Sequence, residues 1–217
     1  MPLRATLAAC AFALAGQSHA GSLSVTVVDK DGKPTPDAVV LVYPAAAIVA
    51  NKITPAPVTV AQEKMAFIPA VSLAIQGTKV RFVNNDAWDH HIRGTAAGVT
   101  AFATGGDAAG FELRLDGKPE GKPAKAQEVT MDKAGAVLLG CHLHSSMRGH
   151  VYVADTPWAL KTDANGVATF ADVPNGNASV KLWHADQLLN LPTQNTLLTN
   201  AGGKLAFALQ VTPRRRR

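Results

Sequence analysis

Residues 140–149 read GCHLHSSMRG, so that Cys141, His144 and Met147 follow one another at intervals of three. The cysteine ends the apolar run AVLLG and the strand-like GHVYVAD resumes after Met147, which makes the intervening residues a strand-to-strand loop. Within such a loop this spacing lets Cys141, His144 and Met147 turn into one pocket while His142 points elsewhere. A second imidazole is available from VRFVNNDAWDHHIRG, where His90 and His91 follow a strand and its turn. Two imidazoles, one thiolate and one weak axial thioether are the ligand set of a one-electron copper centre. Thiolate and thioether favour Cu(I) and imidazole accepts Cu(II), so a mixed set holds both states with little rearrangement. Leu139, Phe82, Trp88 and Val151 are expected to supply an apolar shell that raises the potential.

Two other readings stay open on the residues alone. A zinc tetrahedron drawn from Cys141, His90, His142 and His144 would leave Met147 without a role. A buried, inert cysteine would leave the polar, histidine-rich residues after it unexplained.

The compartment bears on the cysteine. Residues 1–20, MPLRATLAACAFALAGQSHA, have one early arginine, an apolar run over 5–16 and small residues at Ser18 and Ala20. They read as a secretory leader cut after Ala20 and directing the chain to the periplasm. The run is too short to span a bilayer. Leu7-Ala8-Ala9-Cys10 also looks like a lipoprotein cleavage box, but only a few apolar residues precede it. Removal of the leader takes Cys10 with it and leaves Cys141 with no partner thiol in an oxidising compartment, where it must be buried, reactive or metal-bound. Nothing further along is apolar for long enough to form an integral membrane span, and a soluble monomer is expected.

The formal net charge is +5, and four of the positive charges sit in the terminal RRRR, read as a solvated tail. Other basic residues are scattered, so nucleic acid is not an expected partner. No paired acids, Ser-His-Asp order or glycine-rich phosphate loop appears, and the metal site has no vacant ligand position, so the chain is not expected to be an enzyme. Asp86 and Asp89 lie where turn roles are expected. His142 and His150 read as solvent-facing or supporting residues, Met65 and Met131 as core filler, Trp88 as packing, and Trp183 with His184 as a strand-edge pair.

Short alternating or β-branched runs recur between Gly, Pro, Asn and Asp, among them SLSVTVVD, DAVVLVYP, TKVRFVN, FELRL, AGAVLLGC, GHVYVAD, GVATF, ASVKLWH and KLAFALQV. This pattern predicts an all-β sandwich or barrel. The best helical candidate, HADQLLNLPT, is short and broken by Pro192.

At VRFVNNDAWDHHI and GCHLHSSMRGHVYV the sequence resembles the cupredoxins, the small blue copper proteins that include plastocyanin and amicyanin. With VTVVDKDGKPTPDAVVLVYP and LKTDANGVATFADVPNGNASVKLWHA it also resembles the transthyretin-like or carboxypeptidase-regulatory type of small sandwich. The whole looks like the exported bacterial plastocyanin-like proteins labelled methylamine utilisation proteins. The resemblance implies a cupredoxin Greek-key sandwich inserted in, or tandem with, the regulatory-like one. The expected division is a leader at 1–20, first strands of the regulatory-like sandwich at 21–45, the copper domain at 46–155, the remaining regulatory-like strands at 156–212 and a basic tail at 213–217.

Carried over by residue, the family's ligands fall on His90, Cys141, His144 and Met147, around one copper ion cycling between Cu(I) and Cu(II). His91 stands where the family has an asparagine that ties the ligand loops together, and it is the alternative to His90 as ligand. The implied function is a periplasmic one-electron carrier serving a redox partner protein. The alternative is a periplasmic copper carrier or scavenger that delivers Cu(I).

Overall fold

The computed structural model describes residues 20–45, 56–98 and 110–214. The expected leader up to residue 19, the first ten residues of the expected copper domain and the last three arginines lie outside the described residues. Within them the chain is all-β, as its alternating patterns predict. The strands are β1 (Ala20–Val28), β2 (Val39–Pro44), β3 (Val58–Glu63), β4 (Ala66–Ile68), β5 (Val71–Ile75), β6 (Thr78–Asn84), β7 (His90–Ala96) and β8 (Phe111–Leu115). They continue with β9 (Lys125–Met131), β10 (Gly135–Cys141), β11 (Arg148–Ala154), β12 (Ala159–Lys161), β13 (Val167–Pro174), β14 (Gly176–Trp183), β15 (Gln194–Leu198) and β16 (Gly203–Ala208). The best helical candidate, HADQLLNLPT, is not helical: residues 184–193 form turns and irregular chain. Pro192 removes a backbone donor, and Leu188 and Leu189 are left exposed rather than gathered on a buried helical face.

The strands form four sheets, ordered β13-β1-β16, β12-β2-β14-β15, β4-β3-β6-β9 and β5-β11-β10-β7-β8. The first two enclose one core, where the inward residues Leu23, Val25 and Val27 of β1 meet Val40 and Val42 of β2 and Val180 of β14. The last two enclose a second core, in which Phe82 of β6, Ile92 of β7, Leu139 of β10 and Val151 of β11 are fully buried. One sandwich therefore uses β1, β2 and β12–β16 and the other uses the intervening β3–β11. A third cluster, Val39, Leu41, Val71 and Ala154 with Tyr43, Tyr152 and Trp183 packed against it, joins them. Lys161 Nζ bridges the same junction, 2.7 Å from Asp37 Oδ1 and 2.7 Å from the carbonyl of Val71.

Strand alternation positions the chemistry. On β7, His90, Ile92 and Gly94 are buried while His91, Arg93 and Thr95 face out. β10 pairs antiparallel with β7 so that Cys141 lies opposite Ile92, bringing the end of β10 beside the start of β7. Among the described residues no helix is long and apolar enough to cross a membrane.

Candidate metal centre

His90, Cys141 and His144, although 51 residues separate the first two, form one cluster. Cys141 Sγ lies 3.6 Å from His90 Nδ1 and 3.6 Å from His144 Nδ1. The two imidazoles stand edge to face with centroids 4.9 Å apart. His90 is fully buried and Cys141 is 7% exposed, whereas His144 is half-buried. Met147 is buried in the same core as Cys141 and lines the same cavity. Its N–H donates to the carbonyl of His144, closing the turn that sets the interval of three.

Asp86 orients His90. Its Oδ2 lies 2.9 Å from His90 Nε2, and because an ionised carboxylate only accepts, the ring N–H sits on Nε2. The lone pair of Nδ1 is thereby left facing the sulfur, the tautomer that a metal ligand requires. Asp86 also accepts from the N–H groups of Lys64 at 2.6 Å and Met65 at 3.1 Å. Burial favours the neutral acid, but the hydrogen bonds from His90, Met65 and Lys64 outweigh it and hold the carboxyl below its ordinary value.

Lys64 and Met65 form the two-residue turn between β3 and β4, with φ of 53° and 58°. Both central residues with positive φ describe the mirror-image turn that suits a twisted hairpin. Met65, expected in the core, is 48% exposed at that turn, where its amide rather than its side chain is engaged.

Asn84 ties the neighbouring segments together. Its side-chain amide nitrogen lies 2.8 Å from the carbonyl of Trp88, 3.2 Å from that of Leu115 and 3.0 Å from that of Asp116, while Oδ1 accepts from the N–H of Asp86. Asp89 accepts from the N–H of Gly117 and from Arg114; that backbone bond, followed by the guanidinium, holds its carboxyl below the usual range. Trp88 corrects the expected apolar shell: the residue is 44% exposed, and its carbonyl accepts from Asn84. Phe82, Leu139 and Val151 are buried in the same core as Cys141 and Met147. His91 donates no side chain to it, but its carbonyl accepts the N–H of His142 and ties the ends of β7 and β10. Trp183 packs at the junction rather than at a strand edge, 5.1 Å from Tyr152 and 5.6 Å from His150, and His184 is buried.

The donor set fits a metal ion. A thiol carries one proton and can satisfy only one of two converging imidazole nitrogens. A metal bound about 2.3 Å from sulfur and about 2.0 Å from nitrogen, at angles of about 110–120°, sets each S···N separation at about 3.5–3.7 Å.

No family model matches the chain, and no curated protein matches it. Among solved structures, amicyanin from Paracoccus versutus is similar with 23% identity and a TM-score of 0.35, covering 55% of this chain and 100% of its own. An oxidised amicyanin mutant shows 25% identity and a TM-score of 0.31 over 52% of this chain and 91% of its own. A purple cupredoxin from Nitrosopumilus maritimus shows 17% identity and a TM-score of 0.31 over 45% and 99%.

Proposed function

We propose that this chain is a mononuclear blue copper protein that carries single electrons, with His90, Cys141 and His144 as strong ligands and Met147 as the weak axial one. The observation that carries the reading is the pair of imidazole Nδ1 atoms, each 3.6 Å from the buried sulfur of Cys141. Bound copper supplies the one-electron chemistry, passing between Cu(I) and Cu(II). The protein's own residues do the rest. Asp86 fixes the His90 ring, and Phe82, Leu139, Ile92 and Val151 belong to the buried apolar core that Cys141 shares. The ends of β7 and β10 hold His90 and Cys141, and the turn closed by the Met147 N–H on the His144 carbonyl holds the other two donors.

His144 is the less buried of the two histidines, and exposed Leu143 beside it offers an apolar contact for a redox partner. Met147 favours copper over zinc, because zinc rarely recruits a thioether. Export through the leader at 1–20 would place this exchange in the periplasm. The β1, β2 and β12–β16 sandwich is then a regulatory-like docking module around a copper domain at 46–155.

The test is the visible spectrum after Cu(II) addition. An intense blue or green band that disappears in Cys141→Ser and shifts in Met147→Leu supports the proposal. A colourless protein whose melting temperature ignores copper overturns it. Tight Cu(I) uptake without redox turnover would mark a copper-delivery protein instead.

A further inference from the structure

His91, Glu112 and His142 form a second cluster of metal-ligating groups, on the outer face of the sheet whose inner face carries Cys141. Alternation puts it there. His91 follows inward-facing His90 on β7, and His142 follows inward-facing Cys141 at the end of β10. Glu112 of β8 pairs in register with Arg93, so it is the diagonal neighbour of His91 across the β7–β8 ladder. The N–H of His142 donates to the carbonyl of His91 at 2.9 Å, which fixes the two histidines side by side.

Glu112 Oε2 is 3.4 Å from His91 Nε2, and Oε1 is 3.5 Å from His142 Nε2. Both separations exceed an ordinary histidine–carboxylate hydrogen bond, which spans about 2.7–3.2 Å. They run to different oxygens of one carboxylate, so the two imidazoles bracket it, and one ligand atom from each of the three residues lies within 4.8 Å of the others. The imidazole centroids are 4.7 Å apart and tilted by 45°, so both Nε2 atoms turn toward the carboxylate. The competing cation is Arg93, whose Nε is 4.0 Å from Glu112 Oε1 on an exposed side chain that solvent can take up. His91 is 35% and His142 43% exposed, leaving the remaining coordination positions to water.

We propose that His91, Glu112 and His142 form a second, solvent-open site for a borderline divalent transition metal such as Cu(II) or Zn(II). Two imidazoles and one carboxylate suit such ions better than the hard cations Mg(II) and Ca(II), which prefer all-oxygen shells. The site is one peptide bond from the buried centre along each of two strands, through His90–His91 and Cys141–His142, yet opens to the opposite side of the sheet.

Equilibrium dialysis of the full chain against Zn(II) tests this. Glu112→Gln combined with His142→Ala is expected to bind one equivalent fewer than the wild type, and Glu112→Gln alone to weaken that equivalent at least ~10-fold. Cys141→Ser should retain it, which separates failure of this site from failure of the buried one. Equal zinc binding by the wild type and the double variant, with matching melting temperatures, overturns the proposal. So does a wild type whose zinc is lost entirely with Cys141→Ser.

Discussion

Asp86 Oδ2 lies 2.9 Å from His90 Nε2 inside the protein, and the same carboxylate caps the left-handed Lys64-Met65 turn of another sheet. One side chain therefore aims a candidate ligand and pins the two sheets of its sandwich together. Asp86→Ala would orphan both turn amides and the ring N–H at once. The expected losses are about 1–3 kcal/mol of stability by urea denaturation for buried groups left unpaired and ~10–100-fold in metal affinity by chelator competition.

Asn84 sorts its two side-chain atoms by partner, nitrogen toward three carbonyls and oxygen toward one N–H. Asn84→Asp preserves the shape but turns a carboxylate oxygen on those carbonyls. It should destabilise more than Asn84→Ala, whose loss is roughly 2–3 kcal/mol from unsatisfied buried groups. Chemical denaturation of the two variants gives the order directly.

A Cβ at Gly117 would run into the backbone of Ala87 and Trp88, in the loop that leads into His90. Gly117→Ala should cost about 1–3 kcal/mol as an overpacking change. The same substitution at Gly140, where a Cβ meets open space, should cost far less by thermal melting.

Alkali should act at the junction between the sandwiches. Burial, with the nearby charge of Asp155, pushes the Tyr152 phenol up to about 12, and Tyr43 moves the same way through burial and its hydrogen bond to Asp155. A group whose folded value is raised contributes stability that is full below its unfolded value and lost as pH rises through the folded one. Melting temperature should therefore fall between pH 10 and about 12, and Tyr152→Phe should flatten that fall.

Much of the arrangement is legible in the sequence, because strand alternation and the interval from Cys141 to Met147 are local signals. The strand segments around FELRL, AGAVLLGC and GHVYVAD appear as β8, β10 and β11. The choice between His90 and His91 as the inward residue is set by the register of β7, which two adjacent histidines do not reveal. Asp86 reads as a turn former, yet its contact with His90 depends on how the loop after β6 folds back. Asn84 gives no sign of its role, because the carbonyls it gathers come from residues up to 32 positions away. Glu112 joins His91 and His142 only through the β7–β8 pairing, with a long connection between those strands. Trp88 and Met65 misled for one reason: apolar residues in tight turns stay out while their main chain does the bonding.

The doublet at the start of β7 also changes how the strand tolerates error. A slip of β7 by one residue exchanges its two faces. If each residue takes its predecessor's place, His91 occupies the position of His90 and an imidazole still meets the sulfur; a slip the other way puts Asp89 there. β10 has no such spare, since the neighbours of Cys141 are a glycine and a histidine and neither can stand in for a thiol. Redundancy on one strand and its absence on the other make β10 the element whose alignment decides whether the centre exists at all.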